Sequence, residues 1–100
     1  MLTTTITFRL RDFEFRPGVI DDFTLCYRVE VENMAAWFEG EVTARLLWYT
    51  DAYGRDLLPE ARRLPERWLN PQWAIERYGE GKLEDELRAI EGEQLLRNAA

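Results

Sequence analysis

Apolar and polar side chains alternate from the start of the chain. Ile6, Phe8 and Leu10 are interleaved with Thr5, Thr7, Arg9 and Arg11, the period-2 pattern of a strand with one face in a core and the other in water. Beyond Leu10 the phase slips, because the next apolar residues are Phe13 and Phe15. One extra residue near Arg11-Asp12 accounts for the slip and predicts a bulge or bend. Pro17-Gly18 and Asp21-Asp22 mark a turn. The clearest strand follows, with Phe23, Leu25, Tyr27, Val29 and Val31 on one face and Thr24, Cys26, Arg28, Glu30 and Glu32 on the other.

Asn33 to Gly40 reads as a loop with the apolar tip Met34-Ala35-Ala36-Trp37-Phe38. A third strand is predicted over about residues 41–50. Its even positions Val42, Ala44, Leu46 and Trp48 are apolar, yet so are Leu47 and Tyr49 on the alternate face, as in a strand covered on both sides. Asp51-Ala52-Tyr53-Gly54 has the composition of a hairpin turn, with Gly54 free to take a positive φ. A short fourth strand over residues 55–58 follows.

After Pro59 the period changes. Pro59 and Pro65 limit any helix between them to about two turns. Asn70 is a helix cap followed by proline at the first helical position, which predicts a helix over 71–78, stopped by Gly79 and Gly81. A last helix is expected over about 82–98, with Leu83, Leu87 and Ile90 on one stripe and Gly92 interrupting it. The fold class expected is α+β, in a single domain spanning 1–100. It comprises a three- to four-stranded antiparallel meander over about residues 3–58, then short helices and a C-terminal amphipathic helix packed on one face of the sheet.

Composition supports a globular chain. Of 100 residues, 46% are hydrophobic and 32% charged, outside the range of disordered tails. Net charge is −6, and residues 1–56 hold six Arg against ten acids while residues 57–100 hold seven bases against nine acids. No basic face accumulates along the sequence, so direct nucleic-acid binding is not expected, since phosphate binding needs clustered positive charge. A single cysteine, Cys26, rules out an intrachain disulfide and fits a reducing, cytoplasmic compartment. No apolar run reaches signal-peptide or membrane-spanning length, so no membrane association is expected.

The chain has no His and no Ser. A Ser-His-Asp triad and a Cys-His pair are therefore impossible, and one Cys without His cannot hold a structural zinc. The glycines at 18, 40, 54, 79, 81 and 92 fit no phosphate-binding loop. Carboxylates are the remaining catalytic or metal groups: Glu39 and Glu41 flank Gly40, and Asp51 and Asp56 bracket the hairpin turn. Surface acids at turns and edges are the rule, and they are read here as solvated charge. Cys26 lies in the polar phase beside Arg28 with no base nearby, and is read as an inert, exposed or half-buried thiol. No catalytic residue, cofactor or metal site is expected.

Three features suit binding instead. Trp37-Phe38 sits at a loop tip, where aromatics serve interfaces or plug the end of a sheet. Leu47 and Tyr49 on the alternate face of the third strand need cover, from the segment around Leu58, Leu64, Trp68 and Leu69 or from a partner or second copy. Glu84, Asp85 and Glu86 belong to an acidic run, with Glu80, Glu91 and Glu93, opposed only by Lys82 and Arg88. Such a row is a solvated helix face or a mimic of phosphate spacing. Upstream, Arg55, Arg62, Arg63 and Arg67 form a cluster partly neutralised by Asp56, Glu60 and Glu66.

Val31-Glu32-Asn33 followed by Tyr49-Thr50-Asp51-Ala52-Tyr53-Gly54 resembles the strand-and-turn pattern of small immunoglobulin-like bacterial modules of the FxLYD type. The resemblance covers a small part of the chain and implies an all-β sandwich, from which the helical second half departs. It implies no activity. The function expected is a non-enzymatic acidic protein-interaction module. One version is an inhibitor from a phage or mobile element that occludes a host nuclease, CRISPR complex or polymerase. The alternatives are a phage structural or assembly subunit that oligomerises, and a carboxylate-based ligand binder or enzyme lined by Tyr27, Trp48, Tyr49 and Glu41. The partner expected is a protein, including a second copy of the chain.

Overall fold

A computed structural model describes residues 1–57 and 63–99. Two long strands open it, β1 (Leu2–Arg16) and β2 (Val19–Val31), joined by a tight turn at Pro17-Gly18. Only this one turn forms, because Asp21, paired with Phe13, and Asp22 lie within β2 rather than ending it. A short helix α1 (Met34–Phe38) leads to β3 (Val42–Thr50), and a hairpin returns as β4 (Asp56–Leu57). The strands form an antiparallel meander in the order β1-β2-β3-β4. A 3-10 turn (Glu66–Leu69) and the helices α2 (Pro71–Tyr78) and α3 (Glu80–Ala99) follow. The class is α+β, with an open sheet and a helical layer where a β-sandwich would have its second sheet. Leu58 and most of the stretch between Pro59 and Pro65 lie outside the described residues.

Two bulges away from the β1–β2 turn set which side chains face inward, and a further register shift lies beside that turn, between Glu14 and Arg16. In β1 the register skips between Leu10 and Phe13, and Asp12 takes a φ of 51°. That left-handed backbone is costly for most side chains but tolerated by Asp. The backbone N–H of Asp12 donates to Asp22 Oδ1 across the ladder at 2.9 Å. The slip in phase predicted at Arg11-Asp12 is this bulge, and through it Phe13 and Phe15 return to the core face.

The second bulge is in β3. Cys26 pairs with Trp48 but Tyr27 pairs with Leu46, so Leu47 is the extra residue. Before it the even residues Val42, Ala44 and Leu46 face the core; after it the odd residue Tyr49 does, opposite Leu25. The apolar character on both phases of β3 is therefore one core-facing row that changes parity, not a strand covered on two sides. Trp48 lies instead on the open face, beside Cys26.

One layer covers the core face. Leu2, Ile6, Leu10, the five predicted β2 residues Phe23 to Val31, Leu46 and Tyr49 are buried against Trp68, Ala74, Ile75, Leu83 and Leu87. Trp68 is the hub, with ring centroids 5.2–5.5 Å from Phe13, Phe15, Phe23 and Tyr49. Tyr27 Oη donates to the Trp68 carbonyl at 2.8 Å, tying sheet to helical layer. Each fully buried leucine of α3 contributes about 1.5–3 kcal/mol.

Helix α2 has its predicted bounds. Asn70 Oδ1 accepts from the backbone N–H of Gln72 at 2.9 Å, and Pro71 occupies the first turn. Gly79, at φ 119°, ends it, and the Gly79 carbonyl already accepts from Leu83 N–H to begin α3. The stop is thus a one-residue corner. Gly81 and Gly92 both run inside α3 instead of breaking it, because neither adopts a positive φ. Asn33 to Gly40, read as a loop, contains α1: Asn33 Oδ1 caps it by accepting from Ala36 N–H at 2.9 Å. Five residues are too few to show a helical period.

Candidate interaction surface

Helix α1 is a plug with one large side chain left outside. Met34, Ala36 and Trp37 are buried, with Trp37 only 7% exposed, whereas Phe38 is 61% exposed. Two glutamates of α3 hold the plug in place. Trp37 Nε1 donates to Glu84 Oε1 at 3.0 Å, and the backbone N–H of Met34 donates to Glu91 Oε2 at 3.0 Å. The second bond satisfies one of the free N–H groups at a helix start. Phe38 is thereby held rigidly against α3, where the guanidinium of Arg88 lies 5.3 Å from its ring centroid. Arg88 also reaches Glu84 Oε2 at 3.4 Å. Farther along α3, Leu95 and Leu96 are 62% and 75% exposed.

The predicted binding residues separate into groups. Trp37, Phe38 and Glu84 come together at the α1–α3 contact. Asp85 is exposed on α3, whereas Glu86 is half-buried and accepts a hydrogen bond from Tyr78 Oη. Within the acidic run, Glu84, Glu86 and Glu91 are each committed to an internal bond. Burial and the bond to Glu86 push the Tyr78 phenol up to about 12. Tyr49 is 1% exposed and packs edge-to-face against Trp68 in the core, while Leu47 is half-buried at the bulge. Intrachain cover therefore serves Tyr49, and Trp68 supplies it.

The remaining candidates have structural surroundings. Asp51 is an organiser of the hairpin turn. Its carboxylate accepts from Tyr53 N–H and Arg55 N–H and takes two bonds from the Arg55 guanidinium, the shorter at 2.8 Å. Desolvation pushes its acidity one way, but the bonds and charge of Arg55 and the Tyr53 bond outweigh it and hold the carboxyl below its usual range. Glu39 and Glu41 are exposed beside the end of α1, where their backbone N–H groups close its last turn. Cys26 is buried, 3% exposed, flanked by Thr7 and Trp48 of the neighbouring strands. The polar phase of β2 pointed to a more open thiol, and the neighbouring indole is what alternation alone does not register. Tyr27 and Tyr49 lie in the core and Trp48 on the other face, so these aromatics do not line one pocket. Among the described residues no group of three or more Asp, Glu or Cys is placed to hold a metal ion, and no helix is long and apolar enough to cross a membrane.

Comparison with protein-family models, with curated proteins and with solved structures finds no match for this chain. Two features of the surface were not singled out from sequence: Arg88 as the support of Phe38, and Leu95-Leu96 as outward-facing. Only the Leu95-Leu96 pair, off the Leu83–Leu87–Ile90 stripe, carried a signal in the pattern.

Proposed function

We propose that this protein is a non-enzymatic, acidic protein-interaction module that acts by steric occlusion, with the α1–α3 edge as its contact surface. The observation that carries the reading is Phe38. An aromatic ring 61% exposed, on a short helix whose Met34, Ala36 and Trp37 are buried and which is pinned at two points by Glu84 and Glu91, loses little conformational freedom on binding. Rigid aromatic anchors with a neighbouring Arg dominate interface energetics. Glu39, next to Phe38 in the chain, and Asp85, three residues before Arg88 on α3, carry exposed carboxylates, negative charge that complements a cationic partner surface and speeds encounter with it. A groove of that kind on a nuclease, a CRISPR complex or a polymerase is the partner class that fits. A cytoplasmic setting suits the one buried thiol.

The test is affinity capture with the tagged protein from cell lysate, alongside Phe38→Ala and Asp85→Lys variants with unchanged circular dichroism. Phe38→Ala is expected to weaken the captured interaction at least about tenfold, the scale of an interface hot spot. Asp85→Lys is expected to reduce the association rate and the salt sensitivity. Equal capture by all three proteins would remove this surface, and turnover of a substrate by the purified chain would remove the non-enzymatic reading.

A further inference from the structure

β1 and β4 are the two margins of the sheet, and no strand among the described residues pairs with the outer side of either. Unpaired margins are templates for another strand, and proteins blunt them with short strands, charges or bulges. β4 is blunted by its length of two residues. The far half of β1 is blunted too, by Arg9 and Arg11, by the bulge at Asp12 and by Glu14 and Arg16. The near half is not. Leu2-Thr3-Thr4-Thr5-Ile6-Thr7-Phe8 carries no charge, no Gly and no Pro, and is rich in Thr, Ile and Phe, which favour strands. Its ladder to β2 runs without a register shift over this stretch, so the outer side is regular as well as uncharged.

We propose that the protein is a homodimer in which residues 2–8 of β1 pair antiparallel with the same residues of a second copy, about a two-fold axis at Thr5. Opposed residues of an antiparallel ladder point to the same face, so such an axis must pass through a residue. With Thr5 at the centre, Leu2 lies opposite Phe8, Thr3 opposite Thr7 and Thr4 opposite Ile6. Every pair is uncharged, and the Thr pairs on the open face are favourable cross-strand partners. Arg9 of each copy falls just outside the paired run. An axis at Ile6 would bring Arg9 inside, and one at Thr4 would give up a pair. The contact is isologous and closed, which is the usual form of a homodimer, and joins the two four-stranded sheets into one with both helical layers on the same side.

This inference uses a surface separate from Phe38 and has a separate readout, solution mass by sedimentation equilibrium. The wild-type chain is expected at twice 11.9 kDa. Thr5 is exposed, so Thr5→Lys leaves the fold intact, as circular dichroism will check, but opposes two ammonium groups at the axis; it is expected to sediment as a monomer. Thr3→Lys/Thr7→Lys is expected to dissociate likewise, whereas Thr3→Glu/Thr7→Lys, which sets opposite charges across the axis, is expected to stay dimeric. A wild-type monomer at every concentration up to its solubility limit would overturn the proposal. So would a folded Thr5→Lys dimer, an assembly growing beyond two copies, or identical behaviour of the two double variants.

Discussion

Tyr27 and Trp68 lock the two layers together through single atoms. The Tyr27 hydroxyl, buried in the sheet, has its donor satisfied by the Trp68 carbonyl, and burial pushes its ionisation well above the ordinary tyrosine range. The Trp68 indole N–H, fully buried, has no acceptor among the described residues, a cost of about 1–3 kcal/mol that the surrounding ring packing must exceed. Tyr78 gives a measurable case. Its phenol is raised from 10.0 to about 12, so the folded chain retains a proton that the unfolded chain releases. The resulting stability is fully present below pH 10 and is lost as pH rises through about 12. Urea midpoints measured across that alkaline window are expected to fall less steeply for Tyr78→Phe than for the wild type.

At the scale of elements, ends and interruptions matter more than propensity. α2 is bounded by Asn70 and Gly79, and both ends were readable because side-chain capping and a positive-φ glycine are local chemistry. α3 runs through two glycines without breaking, since its stripe of Leu83 and Leu87 packs on the sheet and tertiary burial outweighs the loss of helix propensity. Gly92 has an ordinary helical backbone, and a Cβ placed there meets nothing within 4 Å. Gly92→Ala is therefore expected to stabilise the protein by about 0.5–1 kcal/mol, read as a higher urea midpoint with an unchanged slope. α1 was hidden from pattern reading by its length, although Asn33 and Ala36 held the cap that makes it.

Across the molecule, one aromatic cluster bears the connection between sheet and helices. Phe13, Phe15, Phe23 and Tyr49 reach it from three strands, and Trp68 is the side chain common to them. Trp68→Ala is expected to cost about 3–5 kcal/mol, a large part of the 5–15 kcal/mol typical of a domain. Equilibrium urea unfolding will check it, and a loss below about 1 kcal/mol would mean that the layers are held elsewhere. The long axis of 54 Å follows from β1, whose fifteen residues span roughly 50 Å at strand rise. The two proposed contacts draw on different residues, Phe38 and Asp85 for the partner and residues 2–8 for the second copy, so their tests are independent.

The sequence by itself determined the types of the four strands and of α2 and α3, the meander, both ends of α2, the inward face of β2 and the existence of the β1 bulge. Each is written in local periodicity or in the chemistry of a turn or cap. It also excluded any triad or zinc chemistry that needs His. Tertiary structure alone decided which acids of α3 are free, because Glu84, Glu86 and Glu91 are claimed by partners up to 57 residues away. It decided too that Tyr49 points inward and Trp48 outward, since a single extra residue at Leu47 reverses every later side chain. Composition cannot place that residue: Leu46, Leu47, Trp48 and Tyr49 are all apolar, so alternation is silent, and only pairing with β2 fixes the register.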